Sequence, residues 1–299
     1  HLSRDGSHLL SGCQAGRVRY WERHEHRLLT TLDGHHGAVN AFAVRRAETI
    51  ALSAGADGTI RQWDLARGEC QRVLEGHEGG VLAIDLCDEM RVLLSGGEDG
   101  TIRHWDLTSG ACVYAWHTQD SAVLSLSVSS NGAYAISGHE SGNLSVWDIR
   151  DGRLLKRFTQ NKGPVVSMAV SHTRPYVVTT AGRNIRVWNL GRGEIIHTLR
   201  GHKTDVHGVC IDQMNRYILS ASAHGTLKMW DLKTGQCIRS LQGTAPVALS
   251  QDGRYCVTGD GAGVLKCWQV HLDEAPLIAP FVICRDFMTR SDIPEVDVE

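Results

Sequence analysis

Serine, histidine and aspartate recur together in this chain at a spacing that could carry nucleophilic chemistry. His35, Ser53 and Asp57 fall in one stretch, and His77, Ser95 and Asp99 repeat it 42 residues further on. A hydroxyl, an imidazole and a carboxylate are the three groups of a proton-relay triad. The set then thins out. The stretch beginning at Gln119 has Ser141 at the aspartate position, the next begins with Asn161, and the one after keeps His202 and Ser220 but has His224 where the aspartate would stand. A catalytic centre is not expected twice in one chain and eroded elsewhere, whereas a structural device repeated with each unit would show this pattern. No catalytic residue is assigned, and the chain is expected not to be an enzyme.

The elements that must position these groups come from the tryptophans. Trp21, Trp63, Trp105, Trp147, Trp188, Trp230 and Trp268 stand 42, 42, 42, 41, 42 and 38 residues apart. Around Trp105 the sequence GGEDGTIRHWDLTSG (96–110) has a turn, a short run closed by Trp-Asp, and a second turn; GADGTIRQWDLARG (55–68) and HESGNLSVWDIRDG (139–152) repeat the phrase. A fixed period of this size marks a repeat array. Each unit holds four short strand-like runs separated by Gly, Asp, Asn and Ser turns. The first run, as in VLAIDL (81–86), VLSLSV (123–128) and VVSMAV (165–170), is apolar on both sides, as expected of a strand buried on both faces.

These units resemble WD40 repeats. The resemblance rests on Gly34-His35, Gly76-His77 and Gly201-His202 at unit starts, on turns such as Asp57-Gly58 and Asp99-Gly100, and on Trp-Asp pairs at 63–64, 105–106, 147–148 and 230–231. It covers about residues 1–270. It implies an all-β fold, a seven-bladed WD40 β-propeller with four-stranded antiparallel blades around a channel. The propeller is expected to occupy 1–285, with a C-terminal tail at 286–299. Only HLSRDGSHLL precedes Ser11, so the first blade is incomplete at the N-terminus. Pro276–Arg285 is apolar enough to supply the outer strand of the last blade. Either the chain is a fragment of a longer polypeptide, or Ile293–Val298 supplies the strand lost at the start.

The resemblance also gives the polar residues a role. It implies a hydrogen-bond chain within each blade, formed by His35, Ser53, Asp57 and Trp63, by His77, Ser95, Asp99 and Trp105, and in reduced form by His202, Ser220 and Trp230.

Composition narrows the remaining classes. Hydrophobic content of 42 % and charged content of 21 % are those of a globular chain. No apolar run is long enough for a spanning helix, so no membrane partner is expected. A net charge of −2 offers no general attraction for nucleic acid. The glycines form no phosphate-binding loop, and the sixteen histidines show no ligand spacing, so neither cofactor nor metal is expected. Cys70, Cys112 and Cys237 share one repeat position and read as small buried strand residues. Cys256 and Cys267 could face each other across a hairpin. An odd number of cysteines, nine, fits a reducing compartment, and the chain is expected to be cytoplasmic.

One surface pattern stands out. The turns between second and third strands and the loops before first strands share one rim of a WD40 propeller. Glu78, Glu98, Asp120 and Glu140 fall there in consecutive units, followed by Lys162, Arg183, Lys203 and His224. An acidic arc then adjoins a basic one, and these eight residues are the candidate partner-binding set. The expected function is a non-enzymatic interaction scaffold, a sensor or docking module that holds a protein or peptide at the rim and channel mouth. Alternatives are the regulatory propeller of a larger signalling NTPase or kinase, an enzyme with a cation site at the mouth, and a nucleic-acid binder.

Overall fold

The computed structural model describes residues 1–3, 5–45, 49–87, 92–129, 131–171, 173–250, 253–259 and 264–270, and the backbone of 281–284. They build seven antiparallel sheets and, among the described residues, no helix. Blade 1 contains β1 (His8–Gly12), β2 (Val18–Glu22) and β3 (Arg27–Leu32). Blade 2 contains β4 (Val39–Val44), β5 (Ile50–Gly55), β6 (Ile60–Asp64) and β7 (Glu69–Leu74). Blade 3 contains β8 (Val81–Cys87), β9 (Val92–Gly97), β10 (Thr101–Asp106) and β11 (Cys112–His117). Blade 4 contains β12 (Val123–Val128), β13 (Tyr134–His139), β14 (Leu144–Asp148) and β15 (Leu154–Phe158). Blade 5 contains β16 (Met168–Val170), β17 (Tyr176–Ala181), β18 (Asn184–Asn189) and β19 (Glu194–Leu199). Blade 6 contains β20 (Val206–Ile211), β21 (Tyr217–Ser222), β22 (Thr226–Asp231) and β23 (Cys237–Gln242). Blade 7 contains β24 (Val247–Leu249), β25 (Tyr255–Gly259), β26 (Leu265–Gln269) and β27 (Phe281–Cys284).

Within each complete blade the strands pair in chain order, because a short turn can join only antiparallel neighbours. The second strands are buried along nearly their whole length, as in Ile50–Gly55 and Val92–Gly97, since both their faces pack on adjacent blades. Leu94, Ile102, Val123, Ala135 and Trp147, for example, form one cluster between blades 3 and 4. The outer strands face solvent on one side and alternate accordingly.

A lateral contact repeats around the circumference. The residue nine positions after a blade tryptophan reaches the turn glycine of the next blade: Thr30 to Gly68, Arg72 to Gly110, Tyr114 to Gly152, Lys156 to Gly193 and His197 to Gly235. These glycines have φ of +71, +81, +66, +77 and +72°, and a Cβ there would stand 2.5 to 3.0 Å from the neighbouring side chain. The left-handed backbone favours glycine at all five, and at Gly152 the Tyr114 and Trp116 rings leave no room for a Cβ, whereas the Arg72 and Lys156 side chains beside Gly110 and Gly193 can yield. Arg72 donates to Thr108 O at 2.7 Å, and the Tyr114 hydroxyl to Asp151 O at 3.2 Å.

The two ends meet the expectations for an incomplete first blade. Its sheet has three strands, and Leu2, bridged to Leu9, stands where an innermost strand would run. Phe281–Cys284, inside the apolar segment expected to close the last blade, pairs antiparallel with β26. The rest of that segment, the 286–299 tail and Ile293–Val298 lie outside the described residues.

Two expectations about cysteine are corrected. Cys70 and Cys237 are exposed and Cys112 is half-buried, because their position opens the outer strands, where one face meets solvent. Cys256 and Cys267 do not face each other. Cys256 stands opposite Trp268 and Cys267 opposite Val257, so successive register positions turn them to opposite faces of the blade. Both are free thiols, as are Cys13, Cys70, Cys112, Cys210 and Cys237.

Candidate interaction surface and the polar relays beneath it

Every blade tryptophan donates its indole N–H to a hydroxyl on the second strand. The acceptors are Ser11 (2.9 Å), Ser53 (2.7 Å), Ser95 (2.8 Å), Ser137 (2.8 Å), Thr179 (2.9 Å), Ser220 (2.8 Å) and Thr258 (3.0 Å). A buried indole N–H without an acceptor is costly, so each tryptophan needs a small hydroxyl diagonally across the sheet.

In blades 2 and 3 the relay continues to a histidine and a carboxylate. His77 Nε2 lies 2.7 Å from Ser95 Oγ, and its Nδ1 lies 2.9 Å from Asp99. His35 makes the same contacts with Ser53 (2.7 Å) and Asp57 (2.9 Å). Ser95 Oγ accepts the indole proton, so it donates its own to Nε2, and Nδ1–H of a neutral imidazole donates to the carboxylate. Burial lowers the His77 pKa, with the Asp99 charge opposing. Burial works to raise both carboxyls, yet hydrogen bonds from Thr59, His35 and the His36 amide on Asp57 bring it to about 2. Hydrogen bonds from Thr101 and the Glu78 amide on Asp99, with the nearby His77, do the same there, again to about 2. The contacts are those of a catalytic triad, but Ser53 and Ser95 are 0 % exposed and already accept an indole proton. No substrate can reach either hydroxyl.

Blade 4 replaces the missing unit-start histidine from within its own second strand. His139, 0 % exposed, reaches Ser137 at 2.8 Å and, through Nδ1, the Ser121 carbonyl at 3.3 Å. The sequence pattern missed it because it looked for histidine only at unit starts; the signal was a histidine where the other second strands end in Gly55, Gly97 and Ala181. In blade 5 Asn161 accepts from the buried Arg186 at 2.9 Å. In blade 6 His202 keeps Ser220 at 2.7 Å and substitutes Thr226 at 3.0 Å for the lost carboxylate. With burial and Lys228 acting alone, the His202 pKa falls to about 4.

The relays fasten loops that carry the rim residues. In blades 2, 3, 4 and 6 backbone bonds tie the turn to the loop before its own first strand: Ala56 N to Ala38 O (2.8 Å), Glu98 N to Gly80 O (3.0 Å), Glu140 N to Ala122 O (3.1 Å) and Ala223 N to Asp205 O (3.0 Å). Others cross to the next blade: Val165 N to His139 O (3.0 Å) and Val206 N to Gly182 O (2.9 Å). One continuous rim results. Glu78, Glu98 and Glu140 are exposed on it, as are Lys162, Arg183, Lys203 and His224. Asp120 differs: it is half-buried and accepts from Asn143 at 2.8 Å, so it belongs partly to the blade 4 interior. Asp205, not singled out in the sequence, is exposed within the basic arc.

Inside the rim, the innermost strands share a β-bulge. The register skips between Val39 and Ala41, Val81 and Ala83, Val123 and Ser125, and Val206 and Gly208. A bulge leaves one residue outside the ladder and re-aims its side chain, here Asn40, Leu82, Leu124 and His207, all of them partly or fully exposed. Asn40 Nδ2 reaches the Val81 carbonyl of the next blade at 2.9 Å. No periodicity announces these residues, because a bulge breaks the period. At the other end the channel holds a cavity of about 390 Å³ walled by Phe42, Val44, Leu86, Val170, Ile211 and Leu249 among others.

Known families match this geometry. A family described as Nucleolar protein 10-like, N-terminal domain, a β-propeller, matches residues 35–214, more than half of the chain, and WD domain, G-beta repeat, matches 235–269. The chain belongs to this family of WD40 β-propellers. It is similar to Autophagy-related protein 16 of Arabidopsis thaliana, 32 % identical over 98 residues, which are 31 % of this chain and 19 % of that protein. It is 30 % identical over 103 residues to Pre-mRNA-processing factor 19 homolog 2 of Arabidopsis thaliana, covering 31 % of this chain and 20 % of the relative. Nuclear distribution protein PAC1 of Yarrowia lipolytica is 36 % identical over 110 residues, 32 % of this chain and 25 % of that one. The matched part of this WD40 propeller thus spans about a fifth to a quarter of each relative's length.

Proposed function

We propose that this WD40 propeller is a non-enzymatic interaction platform, and that it holds a protein partner on the charged rim and channel mouth. The observation that carries this reading is the continuous rim, on which exposed Glu78, Glu98 and Glu140 give way to exposed Lys162, Arg183 and Lys203. Charge arranged in this way orients an approaching partner and speeds encounter. The inaccessible serines of the relays favour a scaffold over catalysis. Because the relatives are longer proteins, the chain is further proposed to be a docking module within a longer signalling protein. Free thiols at the described positions support a reducing, cytoplasmic location.

Affinity capture with the parent chain and with Lys162→Glu/Arg183→Glu/Lys203→Glu tests the reading. The control reverses Arg153, Arg192 and Lys233, exposed residues in the connections from third to fourth strands, at the end of the third strand away from the rim turns. Arg150 is unsuitable there, since it makes two bonds to the buried Asp148, one of 2.6 Å. Loss of capture with the rim variant alone supports the platform; equal loss with the control contradicts it.

A further inference from the structure

We infer that the partner contributes an extended segment with a basic block, an apolar side chain and an acidic block in that spatial order, the apolar side chain entering the channel mouth. This rests on the platform reading and names the chemistry of what the platform holds. Leu82 and Leu124 are bulge residues of consecutive blades, each partly exposed between two buried neighbours and outside the packed clusters between blades. Val166, at the corresponding position of blade 5, is 37 % exposed. These three form an apolar wall along the mouth over blades 3 to 5, bounded by polar Asn40 in blade 2 and His207 in blade 6, both exposed. A wall of this kind, rimmed by polar groups, marks a place where apolar surface is to be covered.

The charge changes sign over that same wall. The Glu98 amide bonds the Gly80 carbonyl, two residues before Leu82, and the Glu140 amide bonds the Ala122 carbonyl, two residues before Leu124, while Lys162 lies in the loop leading to Val166 and Arg183 in the turn of the same blade. Glu98 is held in place by the Gly80 amide at 3.0 Å, so its charge has a fixed position. A single-signed ligand would be attracted at one end and repelled at the other. A segment with separated blocks satisfies both ends, with an aliphatic or aromatic side chain between them.

The test uses two fluorescein-labelled peptides of identical composition around a central leucine. One carries its basic and acidic residues in separate blocks and the other alternates them. Anisotropy titration at low salt is expected to show the block peptide binding roughly tenfold or more tighter, with the gap closing as salt is raised. Val166→Asp and Leu124→Ser, both at partly exposed positions, should each weaken the block peptide several-fold while thermal unfolding stays at the parental temperature. Equal binding of the two peptides, no binding of either, or indifference to Val166→Asp overturns the inference. If neither peptide binds while rim reversal still abolishes capture, the inference falls and the platform stands. If the block peptide binds the parent and the rim variant alike, the rim reading falls with it.

Discussion

The Arg23 guanidinium lies 3.6 Å from the centre of the Tyr255 ring and so joins the first blade to the last. Arg23 occupies the position where the other blades place Leu65, Leu107, Ile149, Leu190, Leu232 and Val270. It is 4 % exposed, donates to the Gly6 carbonyl and contacts His24 at 2.9 Å. Leu2, Leu9 and Trp21 pack with Val257 and Cys267 around it. The seam is therefore closed by side chains from both ends of the ring.

Arg23→Ala should lower stability by about 2 kcal/mol, the scale of a desolvated cation–π contact. Urea unfolding measures this. An unchanged midpoint would show that the apolar packing alone closes the seam.

Ending the chain at Val270 removes the strand that pairs with β26. An exposed edge strand recruits other strands, so sedimentation should show association. A monomer as stable as the parent would mean that Phe281–Cys284 does not protect that edge.

Asp99→Ala should cost roughly 1–3 kcal/mol by leaving His77 Nδ1 without its acceptor. His139→Ala should cost a comparable amount by leaving the Ser137 hydroxyl proton without its imidazole acceptor, although Gln119 gave no reason to expect a relay in blade 4. Chemical denaturation decides both. Were Asp99→Ala neutral for folding but damaging to some hydrolytic activity, the relay would be catalytic after all.

Acid should act in two windows. His202 has a folded pKa of about 4, below the ordinary 6.5, so its neutral form is favoured on folding and the associated stability is lost as pH falls from about 6.5 toward 4. The lowered values at His77 and His139 act in the same direction. Asp57 and Asp99, held to about 2, contribute stability that is complete above about 4 and lost as pH falls toward 2. His202→Asn should flatten the first window and leave the second. A melting temperature with unchanged pH dependence between 6.5 and 4 would contradict the assignment.

Repetition made the fold legible, since regularly spaced tryptophans and Trp-Asp turns determine blade number and strand order before any contact is known. The relays of blades 2 and 3 were legible for the same reason. His139 was not, because two routes place an imidazole at one point in space and sequence alignment sees only one. Leu82, Leu124 and His207 were hidden by the bulges, which shift a side chain without a composition signal. Nothing in the repeat pattern singles out Arg23, and only the meeting of the first and last blades buries it. The cysteines of the outer strands were misjudged because a shared repeat position says nothing about which side of an edge strand meets solvent.

Association kinetics of the captured partner test the two-signed rim most directly. Rates are compared at low and high salt for the parent, for Lys162→Glu/Arg183→Glu/Lys203→Glu, and for reversal of Arg153, Arg192 and Lys233. The rim variant should associate roughly tenfold or more slowly at low salt, with the deficit shrinking as salt reduces the screening length below about 10 Å. Folding should be intact, because exposed ion pairs contribute only about 0–1 kcal/mol. An equal deficit with that control, or a rim deficit that salt leaves unchanged, would contradict the rim as the binding surface.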